Sequence, residues 1–193
     1  STRMENQEHA RAGRTKTHQM IISIIACIAK SNRAIGYQNR LLYHIPSDMT
    51  RFRELTTGHT IIMGRKTYES LPHGALPNRK NIVISSTLDK LPGCEVYPSF
   101  ERAIHSESSD VLYMSKEDSW AASNQEIFII GGESIYKEAL PLASKLYLTM
   151  VEGPSPAGDA FFPTIDLSEW KETEKEMRNE NDLSFTFLTL ERI

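Results

Sequence analysis

Two cysteines, Cys27 and Cys94, are all that this chain of 193 residues contains. That is too few for a disulfide framework or a thiolate zinc site; a reducing compartment fits best, and the expected location is the cytoplasm. Long hydrophobic runs are missing too. The apolar stretch from Met20 to Ala29 falls well short of the roughly 20 residues a membrane helix needs, and no small-residue cleavage site follows it. Strong charge of one sign is absent, the formal net charge being -3. This excludes a general attraction to nucleic acid or to an anionic membrane, so any phosphate recognition must rest on local groups. No Ser/His/Asp arrangement and no ligand-spaced His/Cys cluster occurs. Hydrolysis and metal catalysis are disfavoured, and no metal site is expected.

What is present is a globular balance of 39% hydrophobic and 24% charged residues, on a length that suits one domain with one core. Residues 1–19 lack apolar periodicity and mix four basic with two acidic side chains. They are expected to be a tail, such as an upstream extension of a start at Met20, and not a functional basic arm. The folded domain is then 20–193. MIISIIACIA at 20–29 is the kind of continuous, β-branched run that a strand buried on both faces requires. TIIMG (60–64), NIVIS (81–85) and EIFIIG (126–131) repeat the pattern. Helical segments are expected between them at Ser47–Leu55, Arg65–Leu71, Ser99–Ile104 and Glu133–Leu140. Alternating strands and helices predict an α/β domain with a central, mostly parallel sheet and helices on both faces. KLYLTMVE, EWKETEKEM and LSFTFLTLERI read as strands without intervening helices, which predicts an antiparallel C-terminal edge. The polar stretch His105–Gln125 reads as a loop or a short surface helix.

In an open α/β sheet, ligands bind beyond the carboxyl ends of the strands. Three such ends carry suggestive residues: Gly64-Arg65-Lys66-Thr67, Ser85-Ser86-Thr87 and Gly131-Gly132-Glu133-Ser134. Glycine permits close approach of backbone to ligand, helix N-termini present free N–H groups, and arginine offers a fork of donors to phosphate. A strand–Gly–helix junction alone is ordinary turn chemistry. Three on one edge favour a phosphate-rich cofactor, although the GxGxxG fingerprint is absent.

Asp48 is the second feature. Within Ile45-Pro46-Ser47-Asp48-Met49-Thr50-Arg51-Phe52, Pro46 suits the first helical position. Steps of three and four from Asp48 reach Ile45, Phe52 and Leu55, so the carboxylate shares the apolar face while Arg51 and Glu54 lie off it. One reading is a helix-start residue set against the dipole. The other is a carboxylate in a hydrophobic pocket, which needs a partner presenting paired N–H donors. His44 reads as a surface residue, and Arg79 as either a solvated loop charge or a carboxylate binder.

Taken together, the blocks IIACIA, AIGYQNRLLYHIPSDMTRF, IIMGRKTYESL, LPNRKNIVIS, IFIIGGESIY, KLYLTMVE and GDAFFP resemble the dihydrofolate reductase family, bacterial type, over Met20 to Ile193. The spacing from IPSDM through MGRKT to IIGGxxIY is far more specific than any single block. The resemblance implies NADPH-dependent reduction of 7,8-dihydrofolate to tetrahydrofolate for one-carbon metabolism. Hydride would pass to C6, N5 would be protonated, and antifolates would bind the same pocket. It implies that Asp48 holds the pterin 2-amino group and N3–H and promotes N5 protonation, with Thr149 hydrogen-bonded behind it and Tyr43 nearby. Ile25, Met49, Phe52, Leu71, Leu76 and Ile130 would line the pterin and aminobenzoyl pocket, Tyr136 would lie near the reacting rings, and Arg79 would bind the α-carboxylate of the glutamate tail. Cofactor contacts would come from Ala26, Cys27, Gly64, Arg65, Lys66, Thr67, Ser85, Ser86, Ile130 and Gly131 through Tyr136 (Gly132, Glu133, Ser134, Ile135), with a cis peptide joining the glycines. Ile35 to Leu41, including Gly36, Asn39 and Arg40, corresponds to a mobile loop over nicotinamide and substrate. A monomer is expected.

Three departures stand out. Leu42-Tyr43 replaces the family's usual Pro-Trp, Ser134 stands where some relatives carry a basic residue, and the 105–125 segment is longer than in compact relatives. A reductase of related fold acting on a pyrimidine ribosyl phosphate is the alternative, but Asp48 and Arg79 suit a carboxylate-tailed pterin better. A non-catalytic nucleotide-binding module would explain the phosphate motifs and leave Asp48 without a role.

Overall fold

The computed structural model describes residues 20–112 and 125–193; the tail over 1–19 and residues 113–124 of the polar stretch lie outside them. Strand β1 (Ile21–Ala29) occupies the interior of an eight-stranded sheet. With β4 (Thr60–Gly64), β5 (Lys80–Ile84), β6 (Cys94–Tyr97), β7 (Glu126–Gly131), β8 (Lys145–Val151), β10 (Trp170–Glu180) and β11 (Leu183–Arg192), the order is β10-β11-β8-β1-β7-β4-β5-β6. All pairings from β8 to β6 are parallel, and β11 runs antiparallel to both β8 and β10. The apolar, β-branched runs take the central positions because only a strand covered on both faces can bury every side chain. The polar β10 takes the edge, where its exposed charges discourage pairing with another chain.

The two faces carry separate cores. Ile22, Ile24, Ala26 and Ile28 of β1 pack with Leu146 and Leu148 of β8 under α3 (Phe100–Leu112) and α4 (Glu133–Ala139). The alternate residues of β1 face α1 (Pro46–Thr56) and α2 (Arg65–Ser70), over clusters built on Phe128, Tyr147, Phe185 and Phe187. Helices therefore cover both faces, as the alternating pattern predicts.

One expectation needs correction. The helix expected to stop at Ile104 continues to Leu112. It carries the buried Ala103 and Glu107, and Glu107 is polar, so hydropathy hides the helical stripe. The segment 35–41 is a β-hairpin in part: β2 (Ala34–Tyr37) and β3 (Arg40–Leu41) pair across Gln38 and Asn39, both with positive φ. That geometry suits the twist of adjoining strands. β9 (Ala160–Phe161) completes a second, three-stranded sheet. Gly158 permits the join, since a Cβ there would sit 2.6 Å from the Ala34 Cβ.

Among the described residues, no helix is long and apolar enough to cross a membrane.

Candidate active site

Asp48 lies in the first turn of α1, whose start is set by Pro46 and by Ile45 in extended conformation. Ile45 is buried against Val151, Phe185 and Phe187, so the helix enters the sheet face at a fixed point. The Thr149 hydroxyl of β8 donates to Asp48 Oδ1 at 2.5 Å, joining residues 101 apart in sequence. Thr149 is buried and stands in register with Cys27 on β1 and with Phe187 on β11. Partners across neighbouring strands share a face, so Cys27, Thr149 and Phe187 form a row beneath α1. Half-buried Tyr43 packs onto the same cluster, bringing a third polar tip.

Burial pushes the Asp48 carboxyl above the ordinary carboxylate value. The Thr149 hydrogen bond and the Arg51 charge pull it back, while Glu180 adds to the rise. The Cys27 thiol is pushed up by burial and by Asp48, which makes it an uncharged wall. Buried Tyr136 donates its hydroxyl to the Ile25 carbonyl at 2.8 Å, fixing α4 against β1 beside this pocket.

Ile25, Leu71, Leu76 and Ile130 are half-buried at the margin of one cluster with Met63 and Phe128. Phe52 is also half-buried, whereas Met49 is 53% exposed. Arg79 is fixed by two bonds, Nε to the Pro77 carbonyl at 2.8 Å and Nη1 to the Thr56 hydroxyl at 3.1 Å. It therefore stands at the far end of α1 from Asp48, with charge-bearing Arg53 adding positive field there.

The second group gathers at the carboxyl ends of the adjacent strands β7, β4 and β5. A cis peptide joins Gly131 and Gly132. Gly131 has φ +128, and a Cβ on it would lie 3.4 Å from both the Thr67 and Tyr136 hydroxyl oxygens. Neither α2 nor α4 has a side-chain cap, so the Gly64 and Gly132 junctions leave first-turn N–H groups open. Arg65 donates from Nε to Glu69 at 2.9 Å and from Nη1 to the Thr87 hydroxyl at 3.1 Å. Ser85 is buried and its oxygen accepts from the Leu88 amide at 3.1 Å, shaping the turn, while Ser86 and Lys66 are exposed. Glu133 and Ser134 are exposed as well. Ala26 and Ile135 point into the opposite core, which leaves only their backbones for a ligand. On the hairpin, Asn39, Arg40 and Leu41 are exposed, and Ile35 and Gly36 are half-buried.

Residues 20–192 match the family model described as dihydrofolate reductase. The chain belongs to the dihydrofolate reductase family. It is similar to the dihydrofolate reductase of Neisseria meningitidis, at 42% identity over 158 residues, covering 81% of this chain and 88% of that one. The Buchnera aphidicola dihydrofolate reductase is 41% identical over 177 residues, 90% of this chain and all of that one. That of Bacillus subtilis is 39% identical over 166 residues, 84% and 89% of the two chains. As a member of the dihydrofolate reductase family, the chain is an oxidoreductase.

Sequence reasoning missed part of the surroundings. Arg51, expected off the apolar face, lies over Phe187 and Tyr147. Glu180 accepts the Ser47 amide at 3.3 Å from 133 positions away. Thr87 stands beside Arg65, and Ser85-Ser86-Thr87 already held the signal for it.

Proposed function

We propose that the chain reduces 7,8-dihydrofolate to tetrahydrofolate at the expense of NADPH. The observation that carries the reading is Asp48, a carboxylate in an apolar pocket, held on one oxygen by Thr149 with its other oxygen unpaired among the described residues. A half-buried acceptor of this kind calls for donors from a ligand, and a pterin presents its 2-amino group and N3–H side by side. Asp48 would accept both, orient the ring, and favour the tautomer or water arrangement that delivers a proton to N5. Thr149 would hold the carboxylate at that angle. Ile25, Phe52, Leu71, Leu76 and Ile130 would exclude water from the ring faces, and Arg79 would take the glutamate carboxylate through a planar fork suited to it.

The residues at the carboxyl ends of β7, β4 and β5 fit NADPH. Their fit rests on the Gly131–Gly132 cradle, which a Cβ would fill, and on the uncapped starts of α2 and α4. Arg65, Ser86 and Thr87 would hold the 2′-phosphate, Lys66 and Thr67 the pyrophosphate, and Tyr136 with the Cys27 wall would border the nicotinamide. When bound, NADPH supplies the hydride. The same reading takes the chain to act as a monomer in the cytoplasm, consistent with its two free thiols.

The test is a titration of dihydrofolate against protein with NADPH or NADH, following the reduced-nicotinamide absorbance. Loss of that absorbance only when dihydrofolate is present, and faster with NADPH, is expected. No loss with active-site-titrated protein would defeat the reading.

A further inference from the structure

Arg51 follows Asp48 by one helical turn on α1, and a first reading of the helix puts its charge in solvent. Instead its guanidinium lies 4.6 Å from the Phe187 ring centroid and 5.7 Å from that of Tyr147. Its hydrogen bond is a long one, Nη2 to the Thr189 hydroxyl at 3.4 Å. Among the described residues it forms no ion pair. Phe187 is the register partner of Thr149, and Tyr147 is that of Thr189. The platform under the guanidinium is thus made by the same two strands that present the Thr149 hydroxyl to Asp48.

We propose that Arg51 is a positioning residue for Asp48: its guanidinium, fixed on the Phe187 and Tyr147 rings, supplies the positive field at a carboxylate that an apolar pocket would otherwise leave without a counter-charge. This builds on the reading of Asp48 as the pterin-binding group. Aromatic faces attract a cation without neutralising it, so the charge still acts on Asp48 across the turn. Coulomb energy falls only with the first power of distance, and it falls slowly where water is thin.

The groups facing the pair come from several elements. Around Asp48 stand Arg51 on its own helix, Glu180 of β10, Cys27 of β1, Tyr136 of α4 and Thr149 of β8. Around Arg51 stand Tyr147 of β8 and the carboxylates Glu174 and Glu176 of β10. Lys175 borders the same open cleft, and Arg178 also rests on the Phe187 ring, at 5.0 Å. Burial and Glu180 raise the Asp48 carboxyl, while Thr149 and Arg51 lower it. Glu174 and Glu176 temper Arg51 in turn, so the edge strand β10 reaches the site through this guanidinium as well as directly through Glu180.

The experiment is carboxyl carbon NMR of aspartate-labelled, ligand-free protein titrated with acid, the Asp48 signal being assigned by its loss in Asp48→Asn. Arg51→Met keeps an apolar stem on Phe187 and removes the charge. Its Asp48 midpoint should rise by about one pH unit, the lower end of what a nearby opposite charge does. Arg51→Lys should return most of that shift, and Glu174→Gln should lower the midpoint slightly. The pH profile of dihydrofolate turnover in Arg51→Met should move in the same direction, with NADPH affinity unchanged. An unmoved Asp48 midpoint in a folded Arg51→Met protein overturns the proposal. Should that variant fail to fold, an unmoved midpoint in Glu174→Gln does so. The NMR arm needs no substrate. A shifted midpoint in a protein that does not reduce dihydrofolate would defeat the functional reading and leave the role of Arg51 standing.

Discussion

Thr149 and Asp48 are joined hydroxyl to carboxylate, and the bond ties helix α1 to strand β8 across 101 residues of chain. The Asp48 carboxyl is nevertheless raised in the folded protein, because burial outweighs this bond. A raised carboxyl means that folded protein binds more protons than unfolded chain between the two midpoints. Stability then falls as pH rises from the unfolded value, about 3.9, through the folded one, and the loss is complete above it. Asp48→Asn keeps the Thr149 bond and removes the charge. It should raise the melting temperature at neutral pH, and the gain should vanish below about pH 4. Melting curves across that range check the sign.

The same Asp48→Asn protein should be a poor enzyme. General acid–base assistance is typically worth about 10²- to 10⁴-fold, so dihydrofolate turnover should fall by that order at saturating NADPH. NADPH affinity should survive, since its expected contacts lie on other strand ends. Wild-type turnover in this variant would make Asp48 an ordinary helix-start residue.

Arg65 is partly engaged by Glu69 and Thr87 before any ligand arrives. Its pair with Glu69 is exposed and therefore weak, so a phosphate can displace it. A hydrogen bond to a charged group contributes about 1.5–3 kcal/mol. Arg65→Ala should accordingly weaken NADPH binding about 10- to 100-fold and NADH binding little, read by fluorescence titration. Glu69→Gln should leave NADPH binding equal or slightly tighter.

Gly131 adopts φ +128, where side chains rarely sit, and faces the Thr67 and Tyr136 hydroxyl oxygens at 3.4 Å from a would-be Cβ. Gly131→Ala should lower stability by about 1–3 kcal/mol through backbone strain. It should also reduce NADPH affinity by filling the cradle. Denaturant unfolding and cofactor titration measure the two effects separately.

Glu107 of α3 is buried, with Lys80 Nζ at 2.8 Å, the Thr60 hydroxyl at 3.0 Å and Gln125 Nε2 at 2.7 Å. Lys80→Met leaves that carboxylate without its cation, which typically costs about 3–5 kcal/mol. The group sits near the amino ends of β4, β5 and β7, opposite the candidate site. Urea unfolding should move sharply to lower midpoint, while turnover of the folded protein at low temperature stays near wild type.

Patterns with a short period were legible from the chain alone. MIISIIACIA can be stable only as a strand covered on both faces, and it became the interior strand β1. LSFTFLTLER alternates, and it became an antiparallel strand whose Phe185 and Phe187 face the α1 side. The Ile45, Asp48, Phe52 stripe put a carboxylate on an apolar helix face, and the glycines at 64, 131 and 132 marked close approach. Composition and periodicity carry such information because each depends on neighbours a few residues away. Tertiary structure decided what pairing and register control: that Thr149 stands under Asp48, that Arg51 finds two rings where its helix suggested water, and that Glu180 returns to the start of α1. Those partners are 96 to 136 residues apart along the chain, and a one-residue slip in β8, β10 or β11 would turn those on that strand to the other face of the sheet. No local pattern encodes that choice; the packing of the whole sheet does.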